Sequence, residues 1–503
     1  MQNTVKSFCQ SALGGSMKNI LKYKTYDYSS LDKGIAVDKN PNVVSSGYSE
    51  KCFNFSYKDG GLRDGIGINE IKYYPYGSNI DVIYSFPETL SPVKITQFPF
   101  YNEEMSYDDR MIIFICEDGS VYGWKPNASS EGLLTLPFEV TKDTILLNYV
   151  FEDQTFLYAI NDGVMYIYNM TSKHLEKIQE NVPLFEEICF YKEHVFGRIK
   201  DKKHTLWCSA QKNPANWLSD VNTYSFIDFN DLKGNCLRLI STIDGLYVFR
   251  EYGISKIIFN ENEGVFETEE VCKSTGKIFG NSIQECGDSF VYITTDGMYT
   301  FNGISSKKIT TRMEDIIRRH FTHFSLTAYN NGKYYVALKI NYDDSIFDDG
   351  HYQNNTLIEL DLADLTENIL RGVGIVELSS INEVNSSFMF AIINTVEKNK
   401  VGVIGRGGKI FGTPLKKYWR SVESDYGLPH KKKIISRFFI VSKSDIKITF
   451  HGDNKSYYFQ IKGSENVQIL KPNLSAYRFS VEIESSSADN DITNLKALVG
   501  YYD

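Results

Sequence analysis

Short strands joined by Asp-Gly or Asn-Gly turns recur along this chain and constrain its fold more than any other feature. The clearest unit is Gly287–Gly303, in which an apolar run leads to Asp296-Gly297 and then to Met298–Phe301. Asp-Gly is a strong hairpin signal because glycine adopts positive φ without steric cost. The pattern therefore predicts that a surface strand, a tight turn and a returning strand are repeated through much of the chain.

Similar units surround five turn glycines, at positions 119, 163, 245, 297 and 332. The gaps between them are 44, 82, 52 and 35 residues, and the gap of 82 fits two units, one of which lacks the dipeptide. A period of roughly 40–50 residues with several strands per unit is typical of β-propeller blades. An ordinary meander or sandwich with hairpins is the alternative, because hairpins alone do not set a period.

The composition is consistent with a large all-β protein. Aromatic residues make up 14% of the 503 residues, and they are dominated by 34 Tyr and 32 Phe, which suit half-buried pleated sheets. The net charge is −9, and no basic run is longer than Lys431–Lys433, so the electrostatic footprint of a nucleic-acid-binding protein is absent. The sequence also predicts neither a signal peptide nor a transmembrane helix.

Three regions with different patterns predict the domain organisation. Residues 1–50 are polar and predict an extended N-terminal arm. Residues 51–415 contain the repeats and predict the propeller, with Lys51–Gly67 as the entry to its first blade. Residues 416–503 contain six short apolar segments separated by turn residues, which predict a small β-sandwich. The expected fold class is all-β: a β-propeller with an appended C-terminal β-sandwich and an extended N-terminal arm.

One helix is predicted, over Thr310–Phe321. Thr311 and Glu314 have the spacing of a capping box, and apolar residues recur on one face. His320 and His323 form an HxxH pair at its end, but no further ligand stands at a telling spacing, so helix-end histidines are the favoured interpretation over a metal site.

No sequence motif specifies catalytic chemistry, and we predict no catalytic, cofactor-binding or metal-binding residues and no enzyme activity. The acidic segment 341–355 carries Asp343, Asp344, Asp348 and Asp349, but it does not match a calcium loop, so an exposed solvated loop is favoured over calcium binding. The eight cysteines lack CxxC spacing, and buried free thiols are expected rather than disulfides. Cys116–Trp124 lacks the residues of a sialidase Asp-box, and no arginine triad can be assigned.

Several stretches together resemble the propeller proteins of tailed bacteriophages that build the nozzle or head-to-tail stabilisation ring, and related phage tail proteins. These stretches are Cys52–Gly67 with its Asn54, Leu206–Trp217, Leu246–Ile257, Ser274–Gly303 and Trp419–Lys433. The resemblance covers most of the chain from about residue 50 onward.

The resemblance implies a non-enzymatic structural component of a phage or prophage particle. It implies assembly into a homo-oligomeric ring around a DNA channel, contacts with other tail or connector proteins, passive contact with genomic DNA, and localisation in the virion tail after synthesis in the bacterial cytoplasm. It carries no catalytic residues. A host-attachment propeller that binds or degrades surface carbohydrate is the alternative, and two carboxylates beside stacked aromatic rings would favour it. A cellular protein-interaction propeller without a phage link is a third possibility.

Overall fold

The computed structural model describes residues 21–28, 49–58, 60–73, 82–99, 110–125, 130–151, 154–161, 164–169, 172, 174–178, 184–213, 216–217, 226–382 and 387–502. These residues form strands almost throughout, with one short α-helix and one 3₁₀ turn among them. Seven strands precede the repeats: β1 (Leu21–Asp27), β2 (Ser49–Phe53), β3 (Phe55–Lys58), β4 (Gly61–Asp64), β5 (Ile66–Asn69), β6 (Ile71–Tyr73) and β7 (Val82–Tyr84).

Six blades of a β-propeller follow, and each is an antiparallel sheet of four consecutive strands. Blade 1 consists of β8 (Pro92–Pro99), β9 (Arg110–Cys116), β10 (Val121–Lys125) and β11 (Ser130–Leu134). Blade 2 consists of β12 (Ile145–Phe151), β13 (Gln154–Asn161), β14 (Val164–Asn169) and β15 (His174–Ile178). Blade 3 consists of β16 (Phe185–Tyr191), β17 (His194–Ile199), β18 (Thr205–Cys208) and β19 (Phe226–Asp228).

The second half of the propeller repeats this arrangement. Blade 4 consists of β20 (Cys236–Thr242), β21 (Gly245–Arg250), β22 (Gly253–Asn260) and β23 (Val265–Lys273). Blade 5 consists of β24 (Gln284–Cys286), β25 (Ser289–Thr294), β26 (Gly297–Phe301) and β27 (Ser306–Ile309), and the helix α1 (Glu314–His320) follows it. Blade 6 consists of β28 (Leu326–Asn330), β29 (Lys333–Leu338), β30 (Thr356–Asp361) and β31 (Glu367–Arg371).

A seventh sheet closes the ring with a strand from the other end of the chain. Blade 7 contains β32 (Gly374–Asn382), β33 (Ser387–Asn394) and β34 (Asn399–Arg406), and its fourth strand is β5, which pairs antiparallel with β34. The inner strand β32 packs against both β28 and β8, so the last blade meets the first. The propeller therefore has seven blades in the described residues, and its inner strands begin 40 to 53 residues apart.

The C-terminal strands form a two-sheet β-sandwich together with the N-terminal strands. They are β35 (Lys409–Ile410), β36 (Thr413–Pro414), β37 (Lys417–Ser421), β38 (Lys433–Ser442), β39 (Ile446–Gly452), β40 (Lys455–Ile461), β41 (Ser464–Leu470), β42 (Leu474–Ala476), β43 (Phe479–Ser485) and β44 (Asp491–Tyr502). One sheet runs β3-β4-β44-β38-β41, with β1 paired to β44 and β42 to β38, and the other runs β2-β37-β43-β39-β40. The β35–β36 hairpin instead extends blade 7 beside β5.

The predicted entry to the first blade at Lys51–Gly67 is wrong. The strands β2, β3 and β4 belong to the sandwich, and only β5 enters the propeller, where it completes the last blade. Within the predicted 1–50 arm, the described strands are β1, which pairs with β44 of the sandwich, and the start of β2, which pairs with β37. Alternation of apolar residues cannot distinguish these partners, because a sandwich edge and a blade both need half-buried strands.

The hairpin strands that we predicted to lie on the surface are instead buried where they form the second strand of a blade. Every residue of β21 is buried, as are five of the six residues of β25, because each blade is covered on both faces by its neighbours. The turn dipeptides also lie at different places within their blades. Asp244-Gly245 joins the first and second strands of its blade, whereas Asp296-Gly297 joins the second and third. Asp162-Gly163 lies outside the described residues. The true repeat is set by the inner strands rather than by the glycines.

The helix is shorter than predicted and is not capped by Thr311. Its N-cap residue is Met313, without a side-chain cap. The Met313 N–H instead donates to Glu367 Oε1 of β31 at 3.0 Å, so a carboxylate from blade 6 accepts a bond at the N-terminus of α1. The apolar face of α1 is buried through Ile316 and Ile317, as predicted.

Candidate functional site

A cavity of about 170 Å³ lies where the last blade meets the first. The segment between β7 and β8 forms one wall through Phe86 and Glu88, and another is formed by Lys398, at the end of the turn after β33, and Asn399, the first residue of β34. Glu70, Tyr84, Lys400 and Phe411 also line it. The cavity thus combines aromatic rings, two carboxylates and two ammonium groups at the propeller surface.

Hydrogen bonds across the blade boundary hold the cavity walls together. Lys398 Nζ donates to the backbone carbonyl of Glu88. The Asn399 N–H donates to Ser91 Oγ at 3.3 Å, and its side-chain amide donates to Glu117 Oε1 at 3.3 Å. Because blade 7 is bonded to blade 1 at this point, the cavity is pre-formed rather than assembled from a free loop.

An aromatic stack supports the cavity from within. The rings of Tyr84 and Trp124 are stacked with centroids 4.0 Å apart, and Tyr73 meets the Trp124 ring edge-on. Burial raises the pKa of Tyr84, and Tyr122 and Glu131 raise it further. The Tyr84 phenol therefore remains protonated at neutral pH and is not an activated nucleophile.

Charged residues also follow a β-bulge in the inner strands of four blades. They are Lys94, Glu187, Arg238 and Glu377. Glu187 accepts a hydrogen bond from the Leu239 N–H at 3.1 Å and lies 3.9 Å from Arg238 Nε of the next blade. Burial raises the pKa of Glu377 to about 7, and the neighbouring Lys94 only partly offsets this. These bulges place charge between the inner strands of neighbouring blades.

The acidic segment 341–355 is not the solvated loop that we predicted. Asp349 is buried and accepts a hydrogen bond from Arg371 Nε at 2.8 Å, while Asp344 lies 2.9 Å from Arg371 Nη2 and 2.8 Å from Lys51 Nζ. Burial alone would raise the pKa of Asp344, but Arg371 and Lys51 outweigh it and lower that pKa. Asp343 and Asp348 are exposed. The two inner carboxylates are thus already neutralised by protein cations.

Arg371 is the centre of the contact between propeller and sandwich. Its guanidinium is fully buried and stands 3.5 Å from the ring centroid of Tyr342, with the ring of Phe53 on β2 at 5.0 Å. Its backbone N–H donates to Asn54 Oδ1 at 2.8 Å, and the Asn54 amide donates to the Arg371 carbonyl at 3.0 Å. One buried residue of blade 6 therefore binds both the acidic loop and the first strands of the sandwich.

The remaining candidates from the sequence are the possible metal ligands, the cysteines, the stretch 116–124 and Trp217. No group of three or more His, Cys, Asp or Glu side chains in the described residues is placed to hold a metal ion. The seven cysteines in these ranges are free, while Cys9 falls outside them. In the stretch 116–124, Asp118 accepts hydrogen bonds from the Ser120 N–H and hydroxyl and so fixes a blade turn. Trp217, in a stretch of the phage resemblance, is buried against Phe185.

Sequence reasoning missed the cavity and the Arg371 cluster. The lining of the cavity comes from positions near 70, 85, 400 and 411, which only the closure of the ring brings together. Asn54 belongs to one of the stretches that carry the phage resemblance, but nothing in the sequence links it to Arg371, which is 317 positions away.

No protein-family model matches the chain, and no curated protein matches its sequence. Among solved structures, a crystal structure of BBS1N in complex with ARL6DN, soaked with lead, has a TM-score of 0.39 and 9% identity, covering 67% of this chain and 97% of that one. A crystal structure of the mitotic checkpoint complex has a TM-score of 0.34 and 10% identity, covering 64% and 98%. Likenesses this weak carry no argument about function.

Within the described residues, no helix is long and apolar enough to cross a membrane.

Proposed function

We propose that this protein is a non-enzymatic structural component of a tailed phage or prophage particle. It would form part of a nozzle or head-to-tail connector ring around the DNA channel, in the virion tail, after synthesis in the bacterial cytoplasm. The proposal starts from the sequence resemblance described above. The structural observation that carries it is the joining of propeller and sandwich through buried Arg371, which bonds to Asn54 and lies against Phe53, because a particle component must transmit force between its parts without yielding.

The strand exchange between the chain ends supports the same role. β1 to β4 complete the two sheets of the sandwich, the chain then forms the propeller, which β5 closes, and β37 to β44 return to the sandwich, so the chain crosses between the two units twice. A subunit built in this way resists separation of its two units. The net charge of −9 is consistent with a lumen that repels DNA phosphates and lets DNA slide.

Labelling of intact particles tests the proposal. Antibodies raised against the purified chain would be applied to particles from the strain that carries the gene, followed by negative-stain imaging and peptide mass spectrometry of the purified particles. We expect label at the tail or at the junction of head and tail, and none on particles from a strain in which the gene is deleted. Intact particles that lack the protein by both methods would overturn the proposal.

The cavity favours a second candidate, carbohydrate binding during host attachment. Glu70 and Glu88 line it beside Phe86, which is the combination of carboxylates and aromatic ring that sugar recognition uses. Its volume of about 170 Å³ is below the roughly 300–1,000 Å³ of common ligand pockets, so it would hold a single sugar unit. Calorimetric titration with host surface polysaccharide tests this: heat of binding that Phe86→Ala abolishes would support it, and absence of heat would reject it.

A further inference from the structure

The sandwich strand β41 carries a stripe of exposed side chains. Val467 and Ile469 are 51% and 52% exposed, and Glu465 before them and Lys471 after them are exposed as well. Side chains two positions apart lie on the same face of a strand, so Glu465, Val467 and Ile469 share one face, and Lys471 follows them in the same alternation. The stripe therefore has a negative end, an apolar centre and a positive end.

The stripe lies on the outer face of its sheet. Leu470 pairs with Phe438 of β38, which is fully buried, whereas Ile469 pairs with Phe439, which is only partly buried. Phe439 and Ile469 are thus neighbours on the side of the sheet that faces away from the core. The apolar centre of the stripe extends onto the adjacent strand, and it is an apolar surface in contact with solvent.

The position of β41 leaves room for a second molecule. β41 is the last strand in the sheet order β3-β4-β44-β38-β41, and it lies inside the continuously described range 387–502. The strands that contact β31 of the propeller, β2 and β3, lie at the opposite ends of the two sheets. β41 contains no proline and a single charged residue, so it lacks the side chains that commonly prevent an outer strand from pairing.

Antiparallel pairing of two β41 strands about Gln468 matches the stripe to itself. Glu465 of one copy then lies opposite Lys471 of the other, and Val467 lies opposite Ile469, each twice by symmetry. Opposite charges and apolar β-branched residues are favourable directly across a strand pair. Centring the pair on Val467 would instead place Glu465 opposite Ile469, so the charges select the register as well.

The order of charges identifies the occupant as a second copy of this chain. Antiparallel pairing reverses the direction of the partner strand, so a stripe with a negative start and a positive end is complementary to its own copy. A parallel arrangement of two copies would oppose glutamate to glutamate and lysine to lysine, which is unfavourable.

We propose that two copies of this chain pair through their β41 strands about a two-fold axis, which joins their sandwiches into one continuous sheet. Main-chain hydrogen bonds join the two strands, and the Glu465–Lys471 pairs fix the register. The contact is isologous and ends at two copies, whereas a ring needs a heterologous contact. The inference therefore goes beyond the proposed function and does not depend on it.

Charge changes at the ends of the stripe test the proposal in the full chain. Glu465→Lys opposes lysine to lysine at both ends of the contact, and Lys471→Glu opposes glutamate to glutamate. Each should raise the dissociation constant of the dimer at least about tenfold. The double variant restores opposite charges and should associate as the original chain does. Sedimentation velocity gives the measurement, and the series should reach roughly 100 μM, because one strand pair is smaller than a standard interface.

Mixing the two single variants is the sharpest test. A Glu465→Lys chain paired with a Lys471→Glu chain places lysine opposite glutamate at both ends of the contact. An equimolar mixture should therefore dimerise as the original chain does, although each variant alone associates at least about tenfold more weakly. Fluorescent labels of two colours report the mixed dimer by energy transfer.

Matched controls separate the contact from net charge. Glu263→Lys and Lys273→Glu make the same charge changes at exposed residues of blade 4, and both variants should keep the original dissociation constant, alone and mixed. Circular dichroism confirms that each variant is folded. Hydrogen exchange locates the contact, since peptides covering 464–470 should exchange more slowly at high concentration than at low concentration.

Four outcomes would overturn the inference. They are an original chain that sediments as a monomer throughout the series, single variants that associate as well as the original chain, a mixture that fails to recover association, and a dimer without slower exchange in β41. None of them bears on the role in a phage particle, which the labelling of particles decides.

Discussion

Replacing Arg371 with methionine should loosen the acidic loop and the contact between propeller and sandwich. The substitution removes the cation and leaves Asp349, with 5% of its side chain exposed, without its partner. Asp344 keeps Lys51 at 2.8 Å. Breaking a buried ion pair by removing one partner costs about 3–5 kcal/mol, because an uncompensated charge stays buried. Most of this cost falls on segment 341–355, since that segment supplies both carboxylates.

Hydrogen exchange read by mass spectrometry measures this local effect. A loss of about 3–5 kcal/mol in local opening free energy corresponds to a fall in amide protection of between about two and four orders of magnitude. We expect that fall in peptides covering segment 341–355, which supplies both carboxylates, and a much smaller one in blades 1 to 3. A local measurement is preferable to a melting temperature, because a chain with two units need not unfold in one step.

A compensated variant decides whether charge is the cause. Adding Asp344→Asn and Asp349→Asn to Arg371→Met removes all the buried charge of the cluster, and replacing a whole buried ion pair by neutral groups is often close to neutral in stability. Protection should then recover most of its loss. Exchange rates in Arg371→Met within threefold of the original, or no recovery in the triple variant, would refute the reasoning.

Three further predictions concern other parts of the fold. Asn54→Ala should lower the stability of the junction by about 3 kcal/mol, because it removes hydrogen bonds to Arg371 and Lys416 at a residue with φ of 62°. Hydrogen exchange in peptides covering β2, β3 and β31 measures the loss, and Asn54→Gly in the same measurement isolates the backbone share. Gly67→Ala would place Cβ 2.3 Å from the Lys409 carbonyl oxygen and should speed hydrogen exchange in β5 and β34, whereas Gly132→Ala, with open space around it, should not. The carboxyl of Glu377 has a folded-state pKa near 7, above its ordinary value of 4.5, so the stability it contributes is greatest below pH 4.5 and is lost as the pH rises towards 7. The stability difference between the original chain and Glu377→Gln should therefore shift by roughly 3 kcal/mol over that range in denaturant titrations, and a flat difference would contradict the assignment.

The repeat architecture could be predicted from the sequence, but the blades could not be delimited. Asn331 and Gly332 both adopt positive φ, as their turn requires, so that hairpin was visible. Blade 3 makes a similar turn with Lys192 and Glu193, at φ of 49° and 63°, and this dipeptide gives no turn signal in the sequence. The missing unit that the spacing of 82 residues implied is this blade.

The candidate sites could not be predicted from the sequence, because each forms only where segments that are far apart in the chain meet. Arg371 is an ordinary strand residue in the sequence, and the Asp344 and Asp349 that neutralise it were interpreted as solvated. Local spacing carries information about residues that lie on one strand or one helical face. It carries none about which distant segments meet. The cavity joins residues 70–90 to residues 398–411, and the Arg371 cluster joins residues 51–54 to residues 344–371.

The exchange of strands between the chain ends has a consequence for biosynthesis. A ribosome releases β5 long before β34, and β1 to β4 long before β37 to β44, so neither the ring nor the sandwich can be completed during most of translation. The early strands must wait with unpaired edges while more than 300 residues are added. Cutting the gene between β34 and β37 would leave the C-terminal strands without β1 to β4, so the sandwich would not fold alone. The nascent chain is therefore a natural client for chaperones that shield β edges until the last strand emerges.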